Sequence, residues 1–138
     1  NSDLVEAAKQ VSKKLVLPVY NIVPPPRKMF CGIPRKLDVG PCEFLSMIKN
    51  AEFVVTNSFH GTAFSTTFEK PYVSIVSGKA DTRMHSLLAQ LGLADHLVTK
   101  DNIDVDKMMA TDFAPVRDKK KALRQASFDY LKNALKGL

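Results

Sequence analysis

The sequence predicts an α/β domain in which a parallel sheet is covered by helices on both faces. Short runs rich in β-branched residues, at 15–23, 52–56 and 72–76, alternate with longer stretches whose apolar residues recur every three to four positions. That alternation is the signature of strands joined by helical crossovers. The chain has 138 residues, 45% of them hydrophobic, enough for one domain, 1–138, with a real core.

The elements follow in order. From about Asp3 to Lys14, Leu4, Ala8, Val11 and Leu15 fall on one helical stripe, with Ser2 or Asp3 as N-cap. Leu15 to Val23 reads as a strand, and Pro18 within it marks an edge, a bulge or a late start. Pro24-Pro25-Pro26-Arg27-Lys28 breaks regular structure, and Phe30 to Val39 reads as loop. Pro41 opens a helix that buries Phe44, Leu45, Ile48 and Ala51 and ends near Asn50.

Glu52 to Thr56 is the next strand, and it runs into Asn57-Ser58-Phe59-His60-Gly61-Thr62. A helix from about Gly61 to Glu69 buries Phe64 and Phe68 and stops before Pro71. Tyr72 to Val76 is a strand, Ser77 to Asp81 a turn, and Arg83 to Leu91 a helix capped by Asp81 or Thr82 and stopped by Gly92. A short strand is expected over His96 to Thr99 and one or two helical turns over Asp104 to Met109. The last helix starts near Pro115, with Leu123, Ala126, Tyr130, Leu131, Ala134, Leu135 and Leu138 as its apolar stripe.

In sheets of this kind ligands bind beyond the carboxyl ends of the strands. The loops after the three best strands therefore converge on one candidate site, and they hold Arg27, Lys28, His60, Lys79 and Arg83. Cations beside a helix N-terminus favour an anion such as a phosphate or carboxylate. His60 adds an imidazole able to donate or accept a proton. Each residue also has a plainer reading: His60 as a cap or core histidine, Gly61 as a turn residue, Lys79 as a solvated lysine, Arg83 as a partner of Asp81. His85 and His96 read as structural or exposed.

Other classes are excluded or weakened. Ser58 has no GxSxG around it and no acid placed to orient His60, so a serine hydrolase is not expected. GxGxxG and GxxxxGK[ST] are absent, and no cofactor is expected. Cys31 and Cys42 form no CxxC and have no histidine at zinc spacing; two reduced thiols and no metal are expected, a disulfide between them being the other reading.

Of the net charge of +6, +5 lies between Arg117 and Leu138, where seven basic residues meet Asp118 and Asp129. The basicity belongs to one helix. Without interleaved aromatics it reads as a solvated face rather than a nucleic-acid surface. A membrane-proximal or polyanion-facing role is the other reading. The N-terminus lacks secretory-signal features, so a cytoplasmic protein is expected, with contact at the inner face of the membrane left open by the basic helix.

The stretch Phe44 to Ser65, with its Ile48-Lys49-Asn50-Ala51 helix end and its Ser58-Phe59-His60-Gly61 element, resembles the C-terminal half of the polysaccharide pyruvyl transferase family. Glu69-Lys70-Pro71-Tyr72-Val73, Arg83, Ser86-Leu87-Leu88, Leu91-Gly92-Leu93 and the late Arg124, Ser127, Leu131 helix extend the resemblance. It implies a Rossmann-like domain similar to the C-terminal domain of a GT-B fold, hence the second half of a longer two-domain protein. It implies transfer of a pyruvyl group from phosphoenolpyruvate to sugar hydroxyls, making a ketal on a cell-surface polysaccharide or its precursor.

On that reading His60 is the catalytic acid or phosphate ligand, and Asn57, Ser58, Gly61, Thr62, Lys79 and Arg83 bind substrate, with the Gly61 and Thr62 amides as an anion cradle. Many members resemble Asp-Arg-x-His-Gly here; Ser58 stands in the arginine's place, which implies weaker phosphate binding, replacement by Lys79 or Arg27, or a different transferred group. The partners implied are phosphoenolpyruvate, a sugar or polysaccharide precursor, and the N-terminal domain. Alone, the domain is expected to be inactive and could dimerise through the apolar surface that domain would cover. The alternatives are a GT-B-like glycosyltransferase using a nucleotide sugar and a non-catalytic ligand-binding or assembly module.

Overall fold

The computed structural model describes residues 2–22, 32–36, 39–76 and 82–136. Six helices and five strands occur among them: α1 (Ser2–Leu15), β1 (Asn21–Ile22), β2 (Arg35–Lys36), α2 (Pro41–Asn50), β3 (Val54–Thr56), α3 (Phe59–Thr67), β4 (Tyr72–Ile75), α4 (Thr82–Leu91), β5 (Leu97–Val98), α5 (Val105–Met109) and α6 (Ala114–Leu135). A 3₁₀ turn, Ala94–His96, precedes β5. Strands β3, β4 and β5 form a parallel sheet in that order, and β1 and β2 form a separate parallel pair. The fold is the expected Rossmann-like α/β/α arrangement.

Strand alternation divides the core in two. Val54, Tyr72 and Leu97 face α4 and the start of α6, packing with Met84, Leu88 and Val116. Val55, Val73, Ile75 and Val98 face the other way, onto Ala7 of α1 and Met108 of α5. The central strand β4 is buried along its whole length, which is why Tyr72-Val73-Ser74-Ile75 reads as a continuous run. Burying Val73 and Ile75 contributes about 1.5–3 kcal/mol each.

Helix ends follow local chemistry. Pro41 sits in the first turn of α2 behind Gly40. Gly92, at φ +75°, ends α4 with paired bonds from the Leu93 amide to the Leu88 carbonyl (2.8 Å) and from the Gly92 amide to the Ala89 carbonyl (3.2 Å). Asp104 caps α5 by accepting from the Lys107 amide at 3.0 Å.

Three expectations change. The strand expected over 15–23 narrows to Asn21–Ile22, the late start that Pro18 allowed, and pairs with Arg35–Lys36, a stretch expected to be loop. Helix α3 begins at Phe59, so His60 lies inside its first turn rather than ahead of it. The apolar stripe of α6 is exposed, because only its first turns, around Val116, reach the core. Pro24 to Lys28, Cys31 and Ser77 to Asp81 lie outside the described residues; Cys42 is an exposed free thiol. Among the described residues no helix is long and apolar enough to cross a membrane.

Candidate functional site

The end of β3 and the start of α3 are joined by only Asn57 and Ser58, both exposed. Ser58 is the N-cap, with extended backbone (φ −105°, ψ 136°) and no side-chain cap bond. Its amide donates to Thr56 Oγ1 at 3.1 Å, and its carbonyl accepts from the Thr62 amide at 2.9 Å. Thr56 thus ties strand to cap, while its side chain rests on Gly61. A Cβ at Gly61 would run into the Thr56 hydroxyl and Cβ, so the glycine is needed for close approach of helix to strand rather than for an unusual turn.

A helix start leaves its first N–H groups without intrahelical partners, and here these belong to Phe59, His60 and Gly61. Together with the helix dipole they make the open end of α3 electropositive. Thr62 does not contribute. Its amide is bonded to Ser58, and its side chain is fully buried against Ser74 Oγ (2.7 Å) and Met84 Sδ (3.0 Å). The expectation that the Thr62 amide forms half of an anion cradle is therefore corrected, and the donors available are those of the three preceding residues.

His60 is exposed on the first turn of α3, its ring edge-on to Phe59 with centroids 5.9 Å apart. The Arg83 guanidinium, from the first turn of α4, lies over the same phenyl ring: its Cζ is 5.3 Å from the Phe59 ring centroid. The geometry thus brings two of the expected residues, His60 and Arg83, to a common aromatic ring at adjacent helix starts. Lys79, Arg27 and Lys28 lie outside the described residues. His85 is exposed on α4. His96 is buried, with Nδ1 2.9 Å from the Tyr72 carbonyl and Nε2 3.2 Å from Thr111 Oγ1, and burial holds its pKa below the usual imidazole value. It is a core histidine.

Phe59, Thr56 and Ser74 shape this region without having stood out in the sequence. The signal for Phe59 was its place between Ser58 and His60, where a solvent-facing loop would not need a phenyl ring. Among the described residues no group of His, Cys, Asp and Glu side chains could hold a metal ion.

The arrangement offers anion-directed amides, one exposed imidazole and one guanidinium held by an aromatic ring. Those parts suit binding a phosphorylated or carboxylated ligand and moving one proton. The polysaccharide pyruvyl transferase family model matches residues 2–78, from α1 through β4, so the match includes the whole Asn57–Thr62 element and stops before Arg83. No curated protein and no solved structure matches the chain. With more than half its length matched, including the strand-to-helix element just described, the chain belongs to the polysaccharide pyruvyl transferase family.

Proposed function

We propose that this domain supplies the donor half of a pyruvyl transferase site, holding phosphoenolpyruvate at the start of α3. The observation that carries the reading is Arg83 stacked on Phe59, which brings a cation from α4 and the His60 imidazole against one phenyl ring at the start of α3. Phosphoenolpyruvate carries two anionic groups and so needs two donor sets. The Phe59, His60 and Gly61 amides suit one and the Arg83 guanidinium suits the other. Lys79 is kept as a further substrate ligand, and the exposed Asn57 and Ser58 are assigned to the sugar or the donor on this reading.

In the chemistry proposed, the enol methylene carbon takes a proton and becomes a methyl group, and a sugar hydroxyl oxygen bonds to the neighbouring carbon. The bond from that carbon to the phosphate oxygen breaks, releasing inorganic phosphate, and a second hydroxyl closes the ketal. One hydroxyl proton balances the methyl group and the other leaves with phosphate or solvent. His60 is the proton donor or the stabiliser of the departing phosphate. The acceptor is a sugar of a cell-surface polysaccharide or its precursor, and a preceding domain completes the site. The setting proposed is the cytoplasm, at or near the inner face of the membrane.

The test is calorimetric titration of phosphoenolpyruvate into the wild-type chain, His60→Ala and Arg83→Ala. Both side chains are exposed, so the substitutions leave the core intact. At least tenfold weaker binding in Arg83→Ala and measurably weaker binding in His60→Ala are expected. Unchanged binding in both variants, or tighter binding of a nucleotide sugar than of phosphoenolpyruvate, sinks the reading.

A further inference from the structure

The second surface that asks for a ligand lies away from His60, where α6 crosses the flank of α3 and α4. A cleft of about 480 Å³ opens there, floored by Ala63, Leu87, Leu91 and Leu123. One wall of it is α6, which contributes Arg117, Lys120, Lys121 and Arg124. Arg117 is engaged by Glu69 at 2.7 Å, and Arg124 lies over the exposed Phe128 ring, its Cζ 5.4 Å from the centroid.

The cleft does not end with the body of the domain. On a helix of 3.6 residues per turn, Leu123, Ser127, Leu131 and Ala134 continue the side of α6 that Val116 buries near its start. From Leu123 to Leu135 that side runs on for about 18 Å, and every residue along it is exposed. Leu123, Phe128 and Leu131 are 41%, 47% and 51% exposed. The two carboxylates of the helix, Asp118 and Asp129, fall on the opposite side, where Asp129 accepts from Gln125 Nε2 at 3.0 Å. Cations and apolar groups therefore share one face, and acids are kept off it.

We propose that this face is a docking site for an acidic amphipathic helix of a protein partner, apolar along one stripe and lined with carboxylates beside it. Charge sign selects the acid, since three cations border the apolar floor with no carboxylate of α6 among them. Shape selects a helix over a bilayer: the floor residues Ala63, Leu87 and Leu91 sit at the bottom of a concavity that a flat lipid surface does not reach. The overhang is long enough for about three turns of a partner helix packed along α6. A second copy of this chain is the wrong occupant, because it would bring two helices of net charge +4 face to face.

The test uses the intact chain and a fluorescein-labelled synthetic helix with leucines at i, i+3, i+4 and i+7 and glutamates elsewhere. Its counterpart carries lysines in place of the glutamates, and vesicles of phosphatidylglycerol form a third arm. Anisotropy should show the glutamate helix binding, with affinity at least tenfold above the lysine helix and falling with salt. Lys120→Glu/Arg124→Glu and Leu131→Asp, at positions outside the core and checked for folding by circular dichroism, should each cost at least tenfold. The proposal is overturned by no binding of the glutamate helix, by equal binding of both helices, by binding indifferent to the variants, or by vesicles competing the peptide off. A dimer in light scattering that Leu131→Asp abolishes also overturns it.

Discussion

The hydroxyls of Thr62 and Ser74 meet 2.7 Å apart, both fully buried, at the junction of α3 with the central strand. Thr62 Oγ1 also lies 3.1 Å from the Ser58 carbonyl. Each hydroxyl has one proton, so Ser74 donates to Thr62 when the Thr62 proton goes to the N-cap carbonyl or to Met84 Sδ, 3.0 Å away. Strand β4 thereby braces the start of the helix that bears His60. Thr62→Val keeps the shape and strands the Ser74 hydroxyl, and a loss of about 1–3 kcal/mol is expected in urea denaturation. A loss below about 0.5 kcal/mol would show the chain to be unimportant.

Ser65, one turn on, tests the converse. Its hydroxyl is fully buried with no hydrogen-bond partner. Removing an unsatisfied polar atom removes its desolvation cost, so Ser65→Ala should be neutral or stabilising by up to about 1 kcal/mol. Two buried hydroxyls on one face of one helix thus carry opposite expectations, and destabilisation by both substitutions would contradict the hydrogen-bond assignment.

Gly61 and Thr56 form a steric pair. Gly61→Ala should destabilise by about 1–3 kcal/mol, the range for overpacking a tight contact, and should displace the first turn of α3. Trimming the obstacle with Thr56→Ala should recover part of that loss in a double-mutant cycle, although it also removes the acceptor of the Ser58 amide. Additive losses would show that the two side chains do not meet.

Much of this was legible in the sequence, for identifiable reasons. The end of α4 was legible because Gly92 alone tolerates the backbone there. Strand β4 was legible because β-branched residues crowd between Pro71 and Ser77. The start of α3 was misplaced by two residues because its N-cap serine makes no side-chain bond, leaving little local signal ahead of Phe59. Among the described residues the β1–β2 pair rests on two residues each and is set by tertiary contact rather than propensity. The α6 stripe shows the deepest limit: apolar spacing tells which residues can be buried, and not whether this chain supplies the surface to bury them.

Val16 follows α1 with φ +55° and is 88% exposed. It occupies the left-handed position that ends the helix, with the Leu17 amide bonded to the Ser12 carbonyl at 3.2 Å. A β-branched residue is disfavoured there by roughly 1–2 kcal/mol, and nothing its side chain contacts offsets that. Val16→Gly should stabilise by about 1 kcal/mol after the added chain entropy of glycine. A lowered melting temperature would mean that the valine packs against something in solution.

His96 makes stability depend on pH. Burial lowers its pKa from 6.5, opposed by the hydrogen bond to the Tyr72 carbonyl and by the nearby Asp95 charge. With Nδ1–H donating to that carbonyl, the ring is held neutral between Tyr72, 4.4 Å away centroid to centroid, and Phe113, 6.4 Å away. Because the folded pKa lies below the unfolded one, the unfolded chain binds the proton more readily. The stabilisation is therefore complete above about pH 6.5 and is lost as pH falls through the lowered folded value. Urea midpoints at pH 7.5 and 5.5 should differ, with the lower midpoint at 5.5. In His96→Gln, which keeps a polar group but cannot titrate, the difference should shrink. An undiminished difference in that variant would place the titrating group elsewhere.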